Sequence, residues 1–207
     1  MYRGITSYKA VIFDLGRVLV NFDFQRGYRE LEGLCPYTAA EIPVRILSSG
    51  LVKRFETGQI GPRDFHAQFC ELVSLTIDYS RFCEVWTSIF TDALLPESLL
   101  ESLAARYRLI LLSNTNPIHF EMIRATYPHL RHFHRLVLSH EVGALKPQPQ
   151  IYRAAIEAAQ CRPEECFFTD DILEFVEGAR LLGIDAVQFE SHEQIERELS
   201  ARGIIEM

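Results

Sequence analysis

The chain has no excess of basic residues, no C-x-x-C pair, and no apolar run approaching the roughly 20 residues that span a bilayer. Twenty-one Lys and Arg against 28 Asp and Glu leave a net charge of -7, so the positive field of a nucleic-acid or anionic-membrane binder is missing. A small soluble partner is expected instead. The opening MYRGITSYKA lacks the apolar core of a secretory leader, and a cytoplasmic location is expected. The five cysteines are odd in number and scattered, which fits reduced thiols rather than a disulfide framework. The histidines of HLRHFH (His129, His132, His134) have no i, i+4 pair and no neighbouring cysteine, so they read as surface or loop histidines rather than a zinc site. Internal repeats, low-complexity tracts and long linkers are absent as well.

What is present is a 207-residue chain, 48% hydrophobic, enough for one ordinary domain with a modest insertion. Five short runs, at 8–15, 108–113, 135–139, 166–169 and 185–189, are nearly all apolar, as expected of parallel strands covered on both faces. Between the later runs lie helix signals: Pro96 before an amphipathic stretch, Asn116 as a cap with Pro117 after it, and Gly183 stopping 172–182. This alternation predicts an α/β fold, a doubly wound parallel sheet.

About 70 residues separate the first strand from the helix at 96, far more than the dozen or so a simple crossover needs. Thr38 and Glu41 have capping-box spacing, and Phe65, Phe69, Leu72 and Val73 share a helical face after Gly61-Pro62. Phe82, Val85, Trp86, Ile89 and Phe90 form a second stripe. Residues 21–92 are expected to be a helical insertion over a core of 1–20 and 93–207. RFETGQI (54–60) reads as a turn between its helices, from which Arg54 or Glu56 can contact a sugar.

Ligands of open parallel sheets collect beyond the strands' carboxyl ends. Asp14 follows the first run, Ser113-Asn114-Thr115-Asn116 the second and Asp170-Asp171 the fourth, while Lys146 precedes a helix after the third. Carboxylates converging in one crevice repel each other unless a cation sits among them, and an all-oxygen set suits Mg²⁺. Ser113 beside helix-start N–H groups offers an anion site, and Lys146, held extended before Pro147, offsets phosphate oxygens and keeps Asp14 ionised. Asp14 can then attack phosphorus, giving an aspartyl phosphate that water hydrolyses.

FDLGRVL, LLSNTN, GALKPQPQIY and FFTDDILEFVEGA resemble, in order, the four motifs of the haloacid dehalogenase-like hydrolase superfamily. FDLGRVLV, RFETGQI, LSNTN and LKPQPQIY are similar to its bacterial α-D-glucose-1-phosphate phosphatase-like members. The resemblance implies a Rossmann-like core with a helical cap and Mg²⁺-dependent hydrolysis of a small phosphorylated metabolite. Carried over residue by residue, it makes Asp14 the nucleophile and a metal ligand, with Gly16 (through its carbonyl), Asp170 and Asp171 completing the metal set. By the same resemblance Ser113 and Lys146 would bind phosphate; Asn114 beside Ser113, and His119 in the first helical turn after this loop, are further candidates for binding phosphate or substrate. The oligomeric state, monomer or homodimer, stays open.

Most phosphatases of the superfamily have Asp where this chain has Gly16, and that Asp protonates the leaving alcohol. Its loss predicts slow turnover of poor leaving groups, since such help is worth on the order of 10² to 10⁴ in rate. Asp23 and His119 are the candidate substitutes. Glu174 and Phe175 also depart from the fourth motif, where close relatives have Asp and Asn. Two other readings stay open: a metal-independent haloacid dehalogenase, and a degenerate member that binds a phosphometabolite or protein without turnover.

Overall fold

The apolar runs do become strands in the computed structural model, which describes residues 7–206; MYRGIT, most of the segment read for a leader, lies outside them. They are β1 (Ala10–Phe13), β4 (Arg108–Ser113), β5 (Arg135–Leu138), β6 (Cys166–Asp170) and β7 (Asp185–Gln188). All pair in parallel, in the order β5-β4-β1-β6-β7. β1 is shorter than the 8–15 run, and β6 extends to Asp170, which pairs with Gln188.

Side chains alternate across the sheet, and each face has its own core. Val11, Phe13, Leu109, Leu111 and Phe167 pack against α6 (Glu97–Ala104), α7 (Pro117–Thr126) and α11 (His192–Ala201). Ile12, Ile110, Leu112 and Phe168 pack against α9 (Pro149–Ala159) and α10 (Leu173–Arg180). Burial on both faces explains why the strands read as continuous apolar runs.

The long first crossover leaves and returns through an antiparallel ribbon of β2 (Val20–Phe22) and β3 (Phe90–Ala93). Between them lie α1 (Phe24–Glu32), α2 (Glu41–Ser49), α3 (Leu51–Glu56), α4 (Pro62–Leu72) and α5 (Tyr79–Thr87). The ribbon corrects the helical stripe expected through Phe90: α5 stops at Thr87, and Phe90 pairs with Phe22 across the ribbon. The pattern carried no sign of it because the partner strand is about 70 residues away. The capping box is present, with Glu41 Oε2 accepting from the Thr38 N–H at 2.9 Å. RFETGQI splits, its first residues closing α3 and the turn following.

These helices share an aromatic core in which Phe55 stacks on Phe65 at 4.1 Å, with Phe69, Phe82 and Trp86 around them. Burying each such ring contributes about 1.5–3 kcal/mol. Ile118 of α7 enters the same cluster, joining it to the sheet layer. All five cysteines are free thiols.

Candidate active site

Because β4, β1 and β6 are neighbours, Ser113, Asp14 and Asp170 stand side by side at one end of the sheet. The Asp14 N–H donates to Thr169 O at 3.0 Å, which holds Asp14 in register one residue beyond β1. Lys146 arrives from the loop before α9, buried at 3% exposure. Its ammonium donates to Asp14 Oδ1 at 2.6 Å, to Asp170 Oδ2 at 2.5 Å and to Leu112 O at 3.3 Å.

Asn114 holds that lysine in place. Its Oδ1 accepts from the Lys146 N–H at 2.8 Å, and its Nδ2 donates to Lys146 O at 3.2 Å. The side chain read as a phosphate ligand is therefore spent on the lysine's backbone, which leaves the main-chain N–H of Asn114 for an anion. Pro147 follows through a cis peptide rather than an extended trans one.

The charges do not balance among themselves. Asp14, Asp170 and Asp171 bring carboxylate oxygens within 4.8 Å of one another. Three negative charges against one ammonium leave a formal -2. Burial, opposed by Lys146 and reinforced by Asp170, pushes Asp14 up to about 7. Burial and Asp170 also raise Asp171. Burial alone would lower Lys146, yet the two carboxylates hold it above its ordinary value. An all-oxygen cluster with a deficit of two charges fits a divalent cation such as Mg²⁺. Asp170 is already oriented, since its Oδ1 accepts from the Ile172 N–H at 2.9 Å. Among the described residues no hydrogen bond uses the Gly16 carbonyl: the turn bonds through Leu15 O and Val20 O.

On the anion side, the Ser113 hydroxyl has no partner among the described residues and borders a cavity of about 430 Å³. The helix-start donors expected beside it are partly committed. Ser139 Oγ takes the Thr115 N–H at 2.9 Å and returns its own proton to Thr115 O, while Asn116 Oδ1 caps α7 through the His119 N–H at 3.0 Å. Ser139, which opens the short helix α8 (Ser139–Val142), had no sequence signal, because its target is 24 residues away.

Neither expected substitute acid survives. Asp23 caps α1, accepting from the Gln25 N–H at 2.9 Å. His119 accepts at Nδ1 from Asn116 Nδ2 and donates from Nε2 to Trp86 O, each at 3.0 Å, while stacking on the Trp86 ring. Burial pushes it down to about 4, so it is neutral, with both nitrogens committed. It ties α7 to α5 and is no ligand for phosphate. Burying it against Trp86 depends on α5 and α7 packing together, which a sequence pattern does not encode.

Gly16 leaves no vacancy where its side chain is missing. A Cβ there would lie 2.8 Å from Phe22 Cε1. Glu174 is exposed and outside the carboxylate cluster, and the Phe175 ring lies 5.2 Å from the Lys146 ammonium. Arg54 is bound to Gln68 Oε1 at 2.6 Å, whereas Glu56 borders the cavity.

Comparison with known proteins agrees with this geometry. The profile of the haloacid dehalogenase-like hydrolases matches residues 8–183. The chain is 25% identical to D-ribitol-5-phosphate phosphatase of Bacteroides thetaiotaomicron, over 93% of this chain and 97% of that one. It is 28% identical to a phosphatase of Mycobacterium tuberculosis, over 96% and 97%. Its fold is similar, with a TM-score of 0.79 and 28% identity over 89% and 96% of the two chains, to a crystal structure from Bacteroides thetaiotaomicron holding magnesium and inorganic phosphate.

Proposed function

The chain belongs to the haloacid dehalogenase-like hydrolase family, and we propose that within it this enzyme removes phosphate from a small phosphorylated metabolite, a sugar or polyol phosphate, using Mg²⁺. The observation that carries this reading is the convergence of Asp14, Asp170, Asp171 and Lys146 beside the free hydroxyl of Ser113. The phosphatases among its relatives, and the magnesium and phosphate in the similar structure, support it.

Asp14, Asp170 and Asp171 would hold the ion, whose bound charge offsets the carboxylates and the phosphate oxygens. Ser113 Oγ and the Asn114 N–H bind the phosphoryl oxygens. Lys146 steadies Asp14 as a carboxylate, aided by the Leu15 N–H. Asp14 attacks phosphorus, the alcohol departs, and water hydrolyses the aspartyl phosphate. The helices of 21–92 act as a cap that keeps bulk water from this step and shapes the pocket for the organic group. We place the enzyme in the cytoplasm; among the described residues no helix is long and apolar enough to cross a membrane.

A screen of sugar and polyol phosphates with Mg²⁺, run beside Asp14→Asn, tests the reading. Phosphate release by the parent, its loss in the variant and its loss on adding EDTA are expected. No phosphate release by the parent, together with halide release from an L-2-haloacid that survives EDTA, would point to the dehalogenase reading instead.

A further inference from the structure

The missing acid at Gly16 leaves the departing alkoxide without a proton source on the sheet side of the crevice. The cavity bordered by Gly16 and Ser113 is closed on the other side by the helical insertion. Most of its lining there is apolar, including Phe24, Leu31, Ile46 and Trp86. Among the described residues that line it, Glu56 is the sole carboxyl group.

The position of Glu56 is built rather than incidental. It ends α3, and the turn after it is fixed by Thr57 Oγ1 donating to Lys53 O at 2.8 Å and by the Gln59 N–H donating to Arg54 O at 2.8 Å. Gly58, at φ +69°, seats the turn directly on α8: any Cβ there would lie 2.2 Å from His140 O. The same α8 braces the phosphate loop, because Ser139 bonds both backbone groups of Thr115 and His140 Nδ1 lies 3.2 Å from Thr115 O. The turn bearing Glu56 and the loop bearing Ser113 are thus referenced to one short helix.

We propose that Glu56, reaching across from the insertion, is the general acid that protonates the leaving alcohol in place of the side chain Gly16 lacks. The role rests on the phosphatase reading above. As the bond from Asp14 to phosphorus forms and the bond to the ester oxygen breaks, the Glu56 carboxyl proton passes to that oxygen, and the alcohol leaves neutral. Glu56 regains a proton from the water that hydrolyses the aspartyl phosphate, so the sum is ester plus water giving alcohol plus phosphate. The group is suited to this: its carboxylate has no hydrogen-bond or ion-pair partner among the described residues, and burial pushes it up to about 7, so a substantial share of it is protonated near neutrality.

The test compares kcat/KM of the parent and Glu56→Gln on two aromatic esters that suit an apolar pocket, p-nitrophenyl phosphate and benzyl phosphate. Nitrophenolate leaves without a proton; benzyl alkoxide does not. Glu56→Gln is expected to lose about 10²-fold on benzyl phosphate while staying within about threefold of the parent on p-nitrophenyl phosphate. Retained turnover of the nitrophenyl ester also shows that the variant is folded. Equal losses on both esters, or no loss on either, would overturn the acid role while leaving the phosphatase reading intact. A parent inactive on both esters and on the sugar phosphate screen would overturn that reading, and the role of Glu56 with it.

Discussion

Gly16 and Phe22 show how much one residue's environment decides. The φ of Gly16 lies outside the left-handed region, so its backbone would accept another residue; the obstacle is the Phe22 ring, itself packed on Phe24 at 4.9 Å and under Arg17 at 5.0 Å. Gly16→Asp should therefore destabilise the protein by about 1–3 kcal/mol, as overpacking does, and gain little on benzyl phosphate. Adding Phe22→Ala should clear the space and raise turnover of that ester above the parent's. Thermal melts and kcat/KM of the single and double variants check both statements. A stable, fast Gly16→Asp would show that the ring yields freely. Gly16 as a departure was plain in FDLGRVLV, but the ring that occupies its space comes from a ribbon with no sequence signature.

At the scale of elements, the contact between α5 and α7 is the informative one. His119 is neutral, buried, bonded to Trp86 O and stacked on the Trp86 ring. Its folded value is about 4, against an ordinary 6.5, so between those limits the unfolded chain takes up a proton that the folded one does not. Stability should fall as pH drops through that window. His119→Gln removes this titration, and its melting temperature should fall less than the parent's between pH 6.5 and pH 4. Parallel slopes would contradict a neutral, buried His119. The residue looked like a candidate for chemistry because it follows the phosphate loop, and only the packing of two distant helices turned it into a tie.

For the whole molecule, the unbalanced carboxylates at the sheet's end connect ligand binding to stability. A cation that binds the folded state alone stabilises it by RT ln(1 + [L]/Kd), about 2.7 kcal/mol at a hundredfold excess over Kd. Mg²⁺ added to EDTA-stripped protein should raise the melting temperature, and Asp171→Asn, which leaves the Lys146 bridge intact, should shrink the rise. A parent with no response would contradict a divalent site. Burial, reinforced by the neighbouring Asp170 carboxylate, is what pushes Asp14 up to about 7 despite Lys146. Ionising it fully needs more positive charge than Lys146 supplies.

The sequence by itself determined the parallel sheet, the strand ends bearing Asp14, Ser113 and Asp170, and the presence of a helical insertion. Those features are local: apolar runs, caps and motif order survive in one dimension because each depends on residues close together in the chain. Tertiary structure alone decided that Asn114 grips Lys146, that Phe22 fills the space beside Gly16, that His119 is a tie, and that Glu56 borders the cavity holding Ser113. Each of these depends on residues from separate elements meeting at hydrogen-bond or van der Waals distance, and no spacing rule along the chain fixes such a meeting.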